Sequence, residues 1–244
     1  MTACVAIKVD GGIVLASDSR TNAGVDYVRT YSKMHTFNWP GDRTLVILTS
    51  GNLATTQAVI NRVNHDLDDK NADFNLRKAK KLFEIAHYIG SINQQEQAEH
   101  AKAFKDNHKT LEANFIVGGQ IGEEEDDIYL VYPEGNYITV SPETPYMQIG
   151  ETKYGKPILD RIITPKTSLN DAARCALVSL DSTMRSNVSV GPPLELAIYT
   201  ANSLTEPRYT KIDLSTPLFT DIQNRWAEGL QQAFQNLPRF DWED

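Results

Sequence analysis

The chain has 244 residues, 41% of them hydrophobic, and a formal net charge of −8. That length supports a sizeable core in one domain spanning residues 1–244, and the acidic balance argues against nucleic acid, whose phosphates need a basic face. No apolar run approaches the roughly 20 residues that span a bilayer, and no signal-peptide pattern opens the chain. Two widely spaced cysteines, Cys4 and Cys175, are too few for a disulfide framework or a zinc site. The expectation is a soluble protein of the reducing cytoplasm, with no nucleic-acid or membrane partner, no metal and no other cofactor.

In chain order, residues 2–9 and 12–17 are β-branched, apolar runs flanking Gly11-Gly12, which predicts a hairpin. In the first strand, Thr2, Cys4 and Ala6 point one way, and Ala3, Val5 and Ile7 the other. Thr21-Asn22-Ala23-Gly24 reads as a turn, a short strand follows around Lys33–Phe37, and Arg43–Ser50 is a strand ending at Gly51-Asn52. Leu53 to about Asp68 is predicted as a helix, and Leu76, Ala79, Leu82, Phe83, Ala86 and Ile89 recur at helical spacing from Asn75 onward. Its continuation, residues 94–102, is polar nearly all round, as in a solvated extension or a helix resting on a partner.

Strands return at 112–120, 127–132 and 137–140, with the acidic run Glu123–Asp127 as a solvated tip. A third helix is predicted from Ile149-Gly150-Glu151 to before Thr164-Pro165. Ser168 and Asp171 read as the capping box of a fourth. Strands at 194–200 and 209–212 precede a C-terminal helix with Phe219, Ile222, Trp226, Leu230 and Leu237 on one face. Runs of strands separated by helix pairs predict stacked antiparallel sheets with helices outside, an α+β four-layer αββα sandwich.

Thr2, Asp18 and Lys33 are the candidate active site. A threonine hydroxyl is a weak nucleophile until a base takes its proton, and at a chain terminus that base is the residue's own α-amine. Such an amine titrates near pH 8. An ammonium beside it lowers that value by like-charge repulsion, and a carboxylate beside the lysine keeps it charged and aimed. There is no Gly-x-Ser-x-Gly, phosphate loop or His-Glu-x-x-His, and His35, His65, His87, His100 and His108 show no ligand spacing. Cys4, on the strand face of Thr2, reads as a small buried apolar residue.

A first strand opening on Thr2, then Ser17-Asp18-Ser19-Arg20-Thr21, Lys33, Ser50-Gly51-Asn52, Ile149-Gly150 and Leu180-Asp181, resembles the proteasome-type N-terminal nucleophile hydrolases. Through Ala16–Asp26 and Asp181–Asn187 it is most similar to their bacterial Anbu group, the ancestral proteasome-type β-subunits. The resemblance covers nearly the whole chain and implies a threonine-type hydrolase acting on peptide or unfolded protein, with Thr2 as nucleophile, assembled as a ring or ring-like homo-oligomer. It implies that Asp18 and Lys33 tune the amine, that Gly51 supplies an oxyanion-binding N–H, and that Asp181 orients the amine. Ser182, Thr183, Ser186 and Ser189 are equal candidates for the hydroxyl beside Asp181. Where the family has Gly-Ser-Gly, this chain has Gly150-Glu151-Thr152, and a carboxylate there would pair with the amine and oppose Lys33. A non-catalytic ring subunit and an amidase for small amides are the rival readings, and the resemblance does not specify an ATPase partner. Thr2 gains its amine only after loss of Met1, which the small threonine side chain favours; with no propeptide written ahead of it, no self-cleavage is expected.

Overall fold

The computed structural model describes residues 1–22, 28–103 and 110–242. Its strands are Ala3–Val9 (β1), Gly12–Asp18 (β2), Arg20–Asn22 (β3), Val28–Thr30 (β4), Met34–Trp39 (β5), Arg43–Gly51 (β6), Ala113–Ile121 (β7), Asp127–Val131 (β8), Tyr137–Thr139 (β9), Tyr146–Gly150 (β10), Leu194–Thr200 (β11) and Arg208–Ile212 (β12). Its helices are Leu53–Asp68 (α1), Leu82–Ala103 (α2), Lys156–Ile162 (α3), Leu169–Ser186 (α4) and Pro217–Gln235 (α5). One sheet has the order β10-β1-β2-β11-β12, the other runs β5 to β9 in chain order, and β3 and β4 form a separate ribbon. Every described pairing is antiparallel.

Side-chain alternation along β1 divides the layers. Ala3, Val5 and Ile7 join Leu159, Ala176, Leu180 and Phe219 in a core between the first sheet and the later helices. Cys4 and Ala6 face the other way and meet Val46, Leu48 and Ile116 between the two sheets. A third core lies beneath α1 and α2, where Val59, Val63, Ile85 and Ile89 cover Leu45, Ile47 and Phe115. Burying an aliphatic side chain of this size contributes about 1.5–3 kcal/mol. These layers are the expected αββα sandwich.

Local signals fixed several boundaries. Asn52 caps α1, its Oδ1 accepting from the N–H groups of Ala54 and Thr55. Ser168 caps α4, its Oγ accepting from the Asp171 N–H at 3.1 Å. The turn expected at Thr21-Asn22-Ala23-Gly24 differs: β3 runs through Asn22, and residues 23–27 lie outside the described residues.

Two helix expectations were wrong. Residues 75–81 are turns, and α2 begins at Leu82, although Leu76 and Ala79 are buried as their spacing required. Asn75 competes with helix formation there. Its Oδ1 accepts from Arg77 and Lys78 N–H groups, and its Nδ2 donates to the Asp66 carbonyl at 3.0 Å. The buried Arg43 reaches across from β6, its Nη1 donating to the Leu76 carbonyl at 2.7 Å and the Ala79 carbonyl at 2.8 Å. Arg43→Met would keep the packed stem but leave both carbonyls without a donor. The expected loss is about 2–4 kcal/mol, measured as a lower urea midpoint with an unchanged slope.

The second error concerns Ile149-Gly150-Glu151, read as a helix start. Tyr146–Gly150 is instead the edge strand β10, paired residue for residue with β1 from Ala3↔Gly150 to Ile7↔Tyr146. The helix waits until Lys156, with a proline in its first turn. The C-terminal helix also differs in burial. Phe219 is buried and Ile222 packs on the core, but Leu230, Phe234 and Leu237 are exposed.

Candidate active site

The site is built on the open end of the β1–β2 hairpin. Antiparallel register sets Cys4 opposite Ser17, which brings Asp18, the last residue of β2, beside the start of β1. Asp18 is fully buried, and its Oδ1 accepts from the Ala3 N–H at 3.0 Å and from Lys33 Nζ at 2.6 Å. Its Oδ2 accepts from the Gly191 N–H at 3.1 Å. Lys33, only 6% exposed, makes its second bond to the Arg20 carbonyl at 2.7 Å. One carboxylate oxygen therefore joins the lysine to the backbone directly behind Thr2.

Charge at this node follows from burial. Desolvation pushes the Asp18 carboxyl above its ordinary value, and Lys33 and the two N–H donors pull against that rise. The terminal amine, carried by Met1 in this chain, lies within electrostatic reach of the same pair. Burial lowers its pKa first and the Lys33 charge lowers it further, with Asp18 opposing. The sign is the one a terminal base needs, because a depressed amine is neutral for a larger fraction of time near pH 7.

Thr2 itself is half-buried, and its carbonyl accepts from the Glu151 N–H at 2.6 Å. Gly150 stands against it: a Cβ at residue 150 would lie 2.0 Å from the Thr2 carbonyl oxygen and 3.1 Å from Ser50 Oγ. The end of β6 thus converges with Thr2 and Gly150 at one point. Gly51, next in sequence to Ser50, has φ +106°, and a Cβ there would meet the Glu112 carbonyl at 2.3 Å. Only glycine fits that turn, which sets Gly51 in the neighbourhood of Thr2.

Asp181 is arranged differently. It is buried on α4, but its Oδ2 accepts from Arg185 Nε at 2.9 Å and its Oδ1 from Gln223 Nε2 at 2.5 Å. No hydrogen bond from it to Thr2 occurs among the described residues. Of the candidate hydroxyls beside it, Thr183 Oγ1 donates back to the Ser179 carbonyl at 2.8 Å, within its own helix. The hydrogen bonds of the Glu151 carboxylate likewise run to groups other than the amine. Its Oε2 accepts from Asn187 Nδ2 at 3.1 Å and its Oε1 from the Lys153 N–H at 3.3 Å, tying the end of β10 to the C-terminus of α4. Cys4 is buried, and burial raises its thiol far above the ordinary range, so it is no competing nucleophile.

Two supporting residues escaped the sequence reading. Gly191 donates to Asp18 and accepts from the N–H groups of Ser19 and Arg20 at 3.4 and 3.3 Å, pinning the 187–193 loop to the site. Glu195, 2% exposed, accepts from Ser32 Oγ at 2.9 Å, from the Lys33 N–H at 3.4 Å and from Tyr209 Oη at 2.5 Å. It holds the backbone that carries Lys33. Its signal was a charge at an inward position of the apolar run Leu194–Thr200. Beside Lys33 lies a cleft of about 400 Å³ bounded by Tyr31, His35, Thr49 and Gln57.

The proteasome subunit family model matches residues 2–199, more than three quarters of the chain and all of the site. The chain belongs to the proteasome subunit family. Within it, Anbu (ancestral beta-subunit) from Yersinia bercovieri is 40% identical over 99% of this chain and 100% of that one, with a TM-score of 0.92. The Anbu complex from Pseudomonas aeruginosa, described as a helical assembly, is also 40% identical, over 98% of both chains, with a TM-score of 0.92. Anbu from Hyphomicrobium sp. strain MC1 is 39% identical over 98% of this chain and 99% of that one, with a TM-score of 0.88. No curated protein is matched. The proteasome-type fold and the likeness to Anbu are thus shown over nearly the whole length.

Proposed function

We propose that the chain is a threonine-type hydrolase of amide bonds, peptides first, whose nucleophile is Thr2 once Met1 is removed. The observation that carries this is the Asp18 Oδ1 node, which ties buried Lys33 to the backbone of the first strand beside the terminal amine. In the proposed reaction the amine of Thr2 takes the hydroxyl proton, Thr2 Oγ attacks the substrate carbonyl, and Lys33 keeps the amine neutral between turnovers. A backbone N–H at Gly51 meets the resulting oxyanion; removing such a donor typically costs about 2.7–4 kcal/mol. The cleft beside Lys33 gives a substrate side chain somewhere to sit. Asp181 is retained as a group acting at a distance through α4, since its own hydrogen bonds run to Arg185 and Gln223.

The working form is proposed to be a cytoplasmic homo-oligomer. Along α5 and the segment after it, Leu230 is 53%, Phe234 75% and Trp242 77% exposed, more apolar surface than a lone subunit gains by showing to water. The same chain stacked on itself covers it, consistent with the assembly described for the Pseudomonas aeruginosa relative.

A structural, non-catalytic subunit is the second reading, favoured by one observation: the hydrogen bonds of the Glu151 and Asp181 carboxylates run to groups other than Thr2. Intact mass of the purified chain, combined with a threonine-directed covalent inhibitor, separates the two. Loss of one methionine and a stoichiometric adduct on Thr2, absent in Thr2→Ala, is the expected result. Retained Met1, or a free Thr2 that never reacts, would transfer the case to the structural reading. A panel of peptides against small amides then fixes the substrate class.

A further inference from the structure

Lys33 stands in a stretch that no strand ladder holds. Residues 31–33 belong to no strand, and β5 begins only at Met34. The Lys33 ammonium is held by Asp18 at the end of β2, and its carbonyl accepts from the Thr49 N–H of β6 at 2.9 Å. Its own N–H donates to a side chain, Glu195 Oε2, at 3.4 Å.

Glu195 is placed by the same register that places Asp18. It stands opposite Ser17, the residue before Asp18, and opposite Lys211 on β12. It is 2% exposed, and no salt bridge reaches it among the described residues. Asp18, Asp66 and Asp181 are also buried, but each has a lysine or arginine beside it. A carboxylate taken out of water without a cation is costly unless donors surround it. Three do. Ser32 Oγ lies 2.9 Å from both oxygens, the Lys33 N–H bonds one of them, and Tyr209 Oη donates at 2.5 Å. An apolar side chain of similar size would avoid the cost altogether, so stability alone does not account for a glutamate here.

Tyr209 reaches Glu195 from β12, the outer strand of its sheet, with 43% of its own surface exposed. Burial and the neighbouring carboxylate raise its phenol above the ordinary value, so it remains a donor at neutral pH. Hydrogen bonds therefore run unbroken from the sheet edge through Glu195 to the Lys33 backbone, and from Lys33 Nζ through Asp18 to the N–H behind Thr2. We propose that Glu195 is a positioning residue for the reaction at Thr2, anchoring the Lys33 backbone so that Asp18 receives its ammonium, and that Tyr209 locks Glu195 in place. This inference rests on Thr2 being the nucleophile.

The Met1-free chain is labelled with a threonine-directed covalent inhibitor, and the maximal labelling rate and the inhibitor's apparent affinity are read separately. Glu195→Gln is expected to lower the maximal rate about tenfold and Tyr209→Phe about threefold, with affinity within about twofold of the parent, because only the reacting groups are displaced. The double variant should be no slower than Glu195→Gln, since Tyr209 acts through Glu195. Native acetylation with acetic anhydride supplies a readout that general loosening would not give. Lys33 should be acetylated about fivefold faster in Glu195→Gln through local opening, while Lys8, 28% exposed at its side chain on β1 of the same sheet, keeps its rate. Should Glu195→Gln fail to fold, Tyr209→Phe decides on the same two readouts. Parental labelling rates in the variants, additive losses in the double variant, or equal acceleration of Lys8 and Lys33 overturns the proposal and leaves Thr2 standing as nucleophile. A parent chain that never labels removes the Thr2 reading instead, and this role for Glu195 with it.

Discussion

Lys33→Met is expected to lower hydrolysis by about 10³-fold in the Met1-free chain, within the range that a misplaced acid–base system typically costs. The ammonium is too buried for water to replace it, and its two partners, Asp18 Oδ1 and the Arg20 carbonyl, are left without it. The sharper result lies in the pH profile of the residual activity. On the Met1 amine, burial and then Lys33 lower the pKa and Asp18 raises it, and the same two charges are expected to act with the same signs on the Thr2 amine once Met1 is removed. Removing the lysine should therefore move the acid limb of the profile to higher pH, and Asp18→Asn should move it to lower pH. Shifts in the same direction would sink the assignment of the amine as base. Stability carries a second signature, because an unpaired buried carboxylate costs about 3–5 kcal/mol. Burial already holds the Asp18 carboxyl above its unfolded value. The cost of Lys33→Met should accordingly grow as pH rises through the folded pKa and fade once the carboxyl is protonated at low pH. Adding Asp18→Asn to Lys33→Met should recover part of the loss.

The features legible in the sequence were those written in consecutive residues. The hairpin of β1 and β2, the strand Leu194–Thr200, the helix Leu53–Asp68 and the Ser168 cap each follow from a local period or a local hydrogen bond. The place of Asp18 beside the start of β1 was legible because the hairpin register brings it there whatever lies elsewhere. What failed depended on distant partners. Residues 75–81 have helical spacing, but Arg43, more than thirty residues earlier, captures their carbonyls. Tyr146–Gly150 has no strong strand pattern and becomes a strand because the outer edge of β1 needs a partner. The direction of the Asp181 carboxylate is set by Arg185, one turn on, and by Gln223 on α5, neither of which a short motif around position 181 specifies.

The same edge pairing makes residue 150 a position where one methyl group reaches the backbone of Thr2. Gly150→Ala is expected to cost about 2–4 kcal/mol, the sum of left-handed backbone strain and overpacking, and to silence Thr2 toward a covalent inhibitor. Gly150 has φ +83°, and a Cβ there would stand 2.0 Å from the Thr2 carbonyl oxygen and 2.7 Å from its carbonyl carbon. Both neighbours are backbone, so no rotamer relieves the contact. Either β10 separates from β1, losing the 2.6 Å bond from the Glu151 N–H, or Thr2 is pushed off its line with Lys33. Gly41→Ala separates strain from contact, because Gly41 has nearly the same φ, +80°, with nothing within 4 Å of its Cβ position. That control should lose only about 1–2 kcal/mol and keep full reactivity at Thr2. Urea unfolding and inhibitor labelling of the two variants side by side give the answer. Equal stability losses, or a Gly150→Ala chain that still labels at the parent rate, would show that β10 does not position Thr2.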